Sequence, residues 1–151
     1  MQKITTFLWF NDQAEEAAKF YCSLFKNSKI ESTSKYGEGS MGKPGTVMTV
    51  TFQLEGQTFI ALNGGPHFQL TPAISLFVSC ESQAEIDELW SKLSADPKSE
   101  QCGWCKDRFG LSWQIIPREI TELMSSPAAV KELMTMKKLD VARLKQAALK
   151  G

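Results

Sequence analysis

One histidine, four cysteines and a strand glutamine are the side chains here whose types could support chemistry. His67, the only histidine, follows Gly64-Gly65-Pro66 in a loop, where its imidazole could be a general base at a pocket mouth or a surface residue. Gln114 shares one face of an apolar strand with Ser112. It could orient a ligand in an aromatic pocket, or satisfy backbone groups inside a filled core. His67 and Gln114 are the catalytic candidates, and the sequence does not decide whether any reaction occurs.

The spacing Cys102-Gly103-Trp104-Cys105 is that of a redox C-x-x-C pair. Such pairs place the first thiolate at a helix N-terminus, which lowers its pKa. Here the pair precedes a hairpin turn, and residues three apart on a strand point to opposite faces. A structural zinc ion would need two more ligands, whereas Cys22 falls in a predicted helix and Cys80 at a strand end. The sequence therefore favours reduced thiols over a redox or zinc function, and it does not decide whether Cys102 and Cys105 have a redox role.

Two similar segments position these residues. A hairpin turning at Gly56 is repeated by one turning at Gly110, with Phe59 aligned to Trp113. Each hairpin follows a strand, an amphipathic helix and an extended stretch, so the chain reads as a duplicated half-domain. The predicted strands are Ile4 to Phe10, Lys29 to Lys35, Val47 to Leu54, Thr58 to Leu62, Ile74 to Val78, a short one near Gln101 to Cys105, and a last one ending at Pro117.

Capping residues mark the predicted helix starts, and the last two helices form a C-terminal tail. In the tail, Val130, Leu133 and Met134 share one side, which predicts packing onto the body or a twofold mate, or alternatively a mobile lid. The predicted caps are Asp12 with Glu15, Ser82 with Glu85, Ser126 before Pro127, and Asp140.

Length and charge limit the functional classes. A chain of 151 residues predicts one domain that buries a core without disulfides. Its 17 basic and 17 acidic residues cancel and form no basic stripe, which argues against nucleic acid or an anionic membrane as partner. No apolar run approaches the roughly 20 residues that span a bilayer. The N-terminus leads straight into a strand without a signal peptide, so the expected location is cytoplasmic.

Three segments, 8–17, 61–68 and 101–117, together resemble the PhnB-like branch of the vicinal-oxygen-chelate (glyoxalase/bleomycin-resistance/dioxygenase) superfamily. This branch is often labelled "3-demethylubiquinone-9 3-methyltransferase domain". The resemblance implies an α+β fold of paired β-α-β-β-β modules forming a concave sheet, usually in a homodimer, which agrees with the repeat. We therefore expect a single glyoxalase-like domain over 1–151, with module 1 at 1–66, module 2 at 67–117 and a helical tail at 118–151.

The resemblance also implies where a metal would sit. Metal-using members of the superfamily carry histidine and glutamate at matching points of the module strands. By motif those points fall near Thr5, Ala73 and Gln114, and Gln114 aligns with Ile60 across the repeat. One neutral amide oxygen beside threonine, alanine and isoleucine would hold a divalent ion weakly. We predict no metal site and no cofactor, with a divalent metal as the disfavoured alternative.

The methyltransferase label has little support in the residues. S-adenosylmethionine is most often held by a glycine-rich turn from strand to helix. The segment 37–42 is glycine-rich, but no helix pattern follows it and Pro44-Gly45 interrupts. The sequence favours a protein that binds a small organic molecule in an aromatic cleft, with or without turnover; the alternatives are a metal-dependent lyase, isomerase or dioxygenase, and a methyltransferase. The predicted ligand contacts are Phe7, Trp9, Asn63, His67, Ser112 and Gln114.

Overall fold

A computed structural model describes residues 2–151, and the chain divides into two compact units, Met1–Leu70 and Thr71–Gly151. The predicted module boundary at 66/67 falls a few residues earlier, in the same loop. The predicted tail belongs to the second unit. Both units combine strands with helices, which confirms the α+β class.

The first unit is the predicted β-α-β-β-β module. Its sheet has the order β1-β4-β3-β2, in which β1 pairs in parallel with β4 and the other pairs are antiparallel. A parallel pair needs a long crossover, and the helix with the next two strands supplies it. The elements are β1 (Thr6–Phe10), α1 (Ala14–Leu24), β2 (Lys29–Lys35), β3 (Val47–Leu54) and β4 (Gln57–Asn63).

Strand alternation separates the two faces of this sheet. Leu8 and Phe10 are buried on one face, whereas Phe7, on the opposite face, is 54% exposed. Helix α1 packs across β3 on the buried face. There Phe52 stacks on Phe59 with ring centroids 5.6 Å apart and also contacts Tyr21 of the helix. The apolar character predicted for both faces of β1 therefore gives one core face and one face that presents an aromatic ring.

The start of α1 differs from the prediction. The N-cap position is Gln13, which makes no side-chain cap hydrogen bond. The orphan amide of Ala14 donates instead to Oδ1 of Asn63, 2.7 Å away at the end of β4. A distant amide therefore takes the place expected for Asp12.

The second unit contains β5 (Ser75–Cys80), α2 (Gln83–Leu93), β6 (Trp104–Lys106) and β7 (Ser112–Pro117), with the strand order β5-β7-β6. Its three strands among the described residues correspond to the three predicted there, one fewer than the four of a complete β-α-β-β-β module. A 3₁₀ turn at Pro97–Ser99 follows α2 instead of an extended strand. Proline lacks an N–H for a strand ladder, and the carboxylate of Asp96 holds the turn by accepting from the amide of Lys98.

The hairpin repeat is confirmed at corresponding positions. Phe59 pairs with Phe52 across its hairpin and Trp113 with Cys105, and both aromatic rings are buried. Pairing with the parallel strands sets Thr6 opposite Phe59 and Leu76 opposite Trp113. The first strand of each unit therefore occupies the same register, in which Thr6 corresponds to Leu76 and Thr5 to Ser75.

The tail packs within the second unit and contains α3 (Ile120–Leu123), α4 (Pro127–Leu133) and α5 (Val141–Ala148). Leu139, Leu144 and Met136 are buried against Ile116 of β7, whereas Met134, expected on the packed side, is 60% exposed. The amides of Cys102 and Gly103 donate to the carbonyls of residues 136 and 137 at 2.8 Å. In this structure the tail is a packed part of its unit.

Side-chain caps begin the helices where predicted, apart from α1. The hydroxyls of Ser82 and Ser126 and the carboxylate of Asp140 accept amide hydrogens from the first turns of α2, α4 and α5. The longest helices, α1 and α2, have 11 residues each. Across residues 2–151, no helix has the length and apolar character needed to cross a bilayer.

Candidate functional site

A cavity of about 580 Å³ opens in the first unit, where the carboxyl ends of β1 and β4 meet. Parallel strands end at the same sheet edge, so the segments that follow them converge there. The loop between β2 and β3 closes the far side. We call this the strand-end cavity; it is lined by Asn11, Asp12, Glu15, Tyr36, Met41, Gly42, Thr46, Val47, Asn63, Gly64, Gly65, Pro66 and His67.

Trp9 supports the wall of the cavity from beneath. Its indole N–H donates to the carbonyl of Gly65 at 2.9 Å, and Phe68 meets its ring edge-on with centroids 4.9 Å apart. A Cβ added at Gly64 would lie 2.4 Å from the indole ring, so only glycine allows this approach. Trp9 was predicted to contact a ligand. In this structure its hydrogen bond holds in place the backbone that lines the cavity.

Asn63 ties three parts of the cavity wall together. Its Oδ1 accepts from Ala14 at the start of α1, and its Nδ2 donates to the carbonyl of Val47 at 3.1 Å. Its own carbonyl accepts the hydroxyl hydrogen of Tyr36. Both ends of the amide are occupied by these contacts. Asn63 thus lines the cavity and positions its neighbours there, and its contact with a ligand stays a prediction.

The β2–β3 loop forms a wall around Tyr36. The backbone of Tyr36 pairs with residues 45 and 46 at 2.9 Å, which returns the chain toward β3. Gly42 lies against the tyrosine ring, where an added Cβ would approach to 2.3 Å. This glycine-rich loop leads directly into β3, a strand. It does not form the strand-to-helix turn that typically holds S-adenosylmethionine.

The cavity lining is acidic. Asp12 and Glu15 contribute carboxylates and His67 contributes an imidazole, while no lysine or arginine occurs among the described residues that line it. Glu15 also forms an exposed ion pair with Lys19, with 3.8 Å between Nζ and Oε1. Within residues 2–151, no three His, Cys, Asp or Glu side chains converge closely enough to hold a metal ion. The three ionisable groups therefore share the cavity without forming a metal-binding cluster.

The other predicted contacts are not among the residues that line this cavity. Phe7 is on the exposed face of β1, outside the cavity lining. In the second unit, Ser112 is only 2% exposed, which leaves little of it for a ligand to touch. Gln114 is half-buried, and its Nε2 donates to the hydroxyl of Ser75 at 3.0 Å. Of the six predicted residues, Asn63 and His67 line the cavity and Trp9 supports it.

The strand positions at which metal-using members of the superfamily carry their ligands hold only weak metal donors in this chain. Ala73 lies in a turn before β5, and the strand register places Ser75 at the position equivalent to Thr5. The four points are therefore Thr5, Ile60, Ser75 and Gln114. Two hydroxyls, one amide and an isoleucine contain neither an imidazole nor a carboxylate, and the amide is already bonded to the hydroxyl of Ser75. These residues do not fit a resident divalent ion.

The cysteine pair is separated by a tight turn. Cys102 and Gly103 both have positive φ, and Gln101 pairs with Trp104 across them. All four cysteines are free thiols. Burial, with a smaller contribution from the charge of Asp107, raises the pKa of the Cys105 thiol to about 12. This thiol is therefore protonated at neutral pH, unlike the activated thiolate of a redox C-x-x-C pair.

The sequence arguments missed Tyr36 as a cavity residue and treated Asp12 and Glu15 only as helix-capping residues. A signal was available for the two acids. Asp12 follows β1, and in a parallel pair the residues that follow both strands meet at one edge. Tyr36 gave no comparable signal, because a glycine-rich loop lacks the periodicity that would place it against a strand end.

Comparisons with known proteins cover most of the chain. A family model described as 3-demethylubiquinone-9 3-methyltransferase matches residues 2–116. A solved PhnB protein from Bacillus cereus, described as a candidate 3-demethylubiquinone-9 3-methyltransferase, is 44% identical. The match covers 77% of this chain and 99% of that protein, with a TM-score of 0.66. No curated protein matches the chain.

Two more distant structures bear on the fold alone. Protein PA1353 from Pseudomonas aeruginosa is 19% identical, with a TM-score of 0.57 over 75% of this chain and 95% of its own. A gene product from Arabidopsis thaliana is 15% identical, with a TM-score of 0.50 over 75% and 96% of the two chains. The matches confirm the glyoxalase-like class predicted for the α+β units.

Proposed function

Since the chain belongs to the 3-demethylubiquinone-9 3-methyltransferase family of PhnB-like proteins, we propose that it binds a small organic molecule in the strand-end cavity without a resident metal ion. The observation that carries this proposal is the cavity itself. Its volume of about 580 Å³ lies in the range of about 300–1,000 Å³ that is typical of small-molecule sites.

The construction of the cavity supports binding. The hydrogen bonds of Trp9 and Asn63 fix the β4 end and the start of α1. A pocket whose walls are already held in place orders few groups when a ligand enters, which favours affinity. His67 and the two acids add polar groups that can orient a ligand. Phe7, Ser112 and Gln114 stay predictions as ligand contacts.

Two enzymatic alternatives follow from the family. A lyase, isomerase or dioxygenase reaction on a divalent ion would need ligands that the four strand points do not supply. Methylation, as the family name describes it, would need a site for S-adenosylmethionine, and the glycine-rich loop at 37–45 leads into a strand. We therefore favour metal-free binding. Recovery of the bound molecule unchanged would distinguish binding alone from a catalysed reaction.

The test is a screen of small organic fragments by thermal shift and ligand-observed NMR, using a variant that obstructs the cavity. Thr46 lines the cavity and is exposed, so Thr46→Trp adds bulk there without disturbing the core. Thr46→Ser is the matched control, since it keeps the hydroxyl that donates to the carbonyl of Lys43. We expect fragments that bind the parent chain and Thr46→Ser and lose at least tenfold in affinity with Thr46→Trp. Fragments that bind all three equally would place the site elsewhere.

Two further measurements separate the alternatives. Elemental analysis after exposure to manganese, iron, nickel and zinc, followed by dialysis, is expected to find less than one equivalent per chain. One tightly held equivalent would overturn the metal-free proposal. Equilibrium dialysis with S-adenosylmethionine is expected to show no saturable binding, and saturable binding would favour the methyltransferase.

A further inference from the structure

We propose that the strand-end cavity selects an organic cation, a small molecule with an ammonium or amidinium group that Asp12 and Glu15 bind. This inference rests on the proposed function, because it names the class of ligand for the same cavity. The ionisable side chains of the cavity lining are mostly acidic. The lining contains two carboxylates and one imidazole, and no lysine or arginine is found among its described residues, so an anionic ligand would meet repulsion.

The arrangement of the acids favours an organic cation over a metal ion. Asp12, Glu15 and His67 line one cavity, yet within residues 2–151 no three such groups converge as metal ligands. A metal ion needs its ligands within about 2–2.6 Å. Groups too widely spaced for that can still contact different parts of one larger molecule. The cavity volume of about 580 Å³ accommodates such a molecule.

Tyr36 adds a second feature that suits a cation. Its hydroxyl donates to the carbonyl of Asn63, which fixes the aromatic side chain in the cavity wall. Aromatic faces attract ammonium and guanidinium groups through their quadrupole. A fixed aromatic ring and two carboxylates in the lining of one cavity distinguish it from a solvated acidic surface.

Lys19 is an internal competitor for the same charge. Its ammonium lies 3.8 Å from Oε1 of Glu15, one helical turn along α1, and Lys19 itself does not line the cavity. A cationic ligand must share Glu15 with Lys19. Removing the lysine charge therefore should strengthen cation binding, an effect that a purely structural role of Glu15 would not produce.

Three probes of one shape and different charge test the proposal. Tyramine is cationic, tyrosol is its neutral alcohol and 4-hydroxyphenylacetate is the anionic acid. Binding to the full chain is measured by ligand-observed NMR at pH 7 and low ionic strength. We expect tyramine to bind roughly fivefold more tightly than tyrosol, as exposed charge pairs allow, and the acid to bind most weakly. Added salt should reduce the preference.

Four variants locate the effect. Asp12→Asn and Glu15→Gln should each weaken tyramine binding roughly two- to fivefold, and Lys19→Gln should strengthen it about twofold. Glu16→Gln is the control, because Glu16 is in the same helical turn, is exposed and does not line the cavity. Equal losses with Glu16→Gln and Glu15→Gln would overturn the proposal, since they would indicate a general field.

The remaining outcomes distinguish this inference from the function on which it rests. If tyrosol or the acid binds as tightly as tyramine and Thr46→Trp abolishes that binding, the cavity is a ligand site and only the cationic class is wrong. If neither these probes nor any fragment of the screen binds in a way that Thr46→Trp prevents, the proposed function is wrong as well.

Discussion

Asp107 is the side chain on which the second hairpin depends. Its Oδ1 accepts the amides of Phe109 and Leu111 at 2.9 and 3.0 Å, and its Oδ2 accepts the indole N–H of Trp113 at 2.8 Å. The carboxylate is buried, with 3% of the residue exposed. A buried carboxylate is tolerated when its oxygens are satisfied in this way. Asp107 therefore stabilises the turn of the second hairpin by accepting these three hydrogen bonds.

Asp107→Ala is expected to lower the free energy of unfolding by about 3 kcal/mol. The substitution leaves two backbone amides and the Trp113 indole without their acceptor, and bonds to a charged group contribute about 1.5–3 kcal/mol each before relaxation. Denaturant unfolding measures the change. Asp12→Ala is the control, since Asp12 is exposed and should change stability by less than about 0.5 kcal/mol. Equal effects of the two would contradict the role assigned to Asp107.

The buried thiols give a second residue-level prediction. Burial first, then the nearby charge of Glu85, raises the pKa of Cys80 from 9.0 to about 12, and Cys105 behaves similarly. At pH 8, iodoacetamide should label Cys102 and spare these two, with all four labelled in guanidinium. Peptide mass spectrometry reads the result, and rapid native labelling of Cys105 would contradict it.

The same pKa shifts predict a loss of stability at alkaline pH. Between about pH 9 and pH 12 the unfolded chain releases thiol protons that the native state retains. Stability should therefore fall as pH rises through that window. Thermal melts of the parent chain and Cys105→Ala across pH 8–11 check this, since the variant should lose less stability.

At the scale of elements, Gln83 connects α2 to the tail. Its Nε2 donates to the carbonyl of Leu139 at 2.9 Å, and its Oε1 accepts the amide of Val141 at 2.8 Å, just before and at the start of α5. The Lys138 ammonium also bonds Asp87 of α2 at 2.9 Å, which lowers the pKa of that carboxyl. These contacts join one surface of α2 to the segment between α4 and α5.

Gln83→Ala should loosen the tail without unfolding the sheet. We expect amide exchange at residues 139–144 to become at least about tenfold faster, because two backbone groups lose their partners. Hydrogen exchange read by mass spectrometry is the measurement. Gln146→Ala, at an exposed position of α5, is the matched control and should leave exchange near the parent rate. Unchanged exchange in Gln83→Ala would show that packing alone holds the tail.

Local sequence patterns were sufficient to predict most helices and strands, but they were insufficient to predict the cavity. Alternation placed β2 and β3 at their observed bounds, and Ser82, Ser126 and Asp140 cap helices as predicted, because the signal for each lies within a few residues. The side chain of Asn63 caps the start of α1, and Tyr36 forms part of the cavity wall. Neither contact is visible to an argument based on neighbouring residues, since each depends on how distant strands pair.

At the scale of the whole molecule, the homodimer implied by the resemblance to the superfamily stays a prediction. Light scattering on the purified chain is expected to give twice the chain mass of 16.9 kDa across a range of concentrations. Phe7 and Phe77, with 54% and 56% of their surfaces exposed, are among the large apolar side chains that a partner surface would cover. A mass of one chain at all concentrations would contradict the dimer.

The pairing of β1 with β4 has a consequence for how the chain is made. Thr6 leaves the ribosome long before Phe59, its partner across the strands, and α1, β2 and β3 must be synthesised in between. The hairpins β2–β3 and β3–β4 can form from neighbouring segments, whereas β1 must close a long loop to reach the sheet. Until then β1, which has apolar residues on both faces, has no strand partner, so the unfinished chain exposes apolar surface that promotes aggregation.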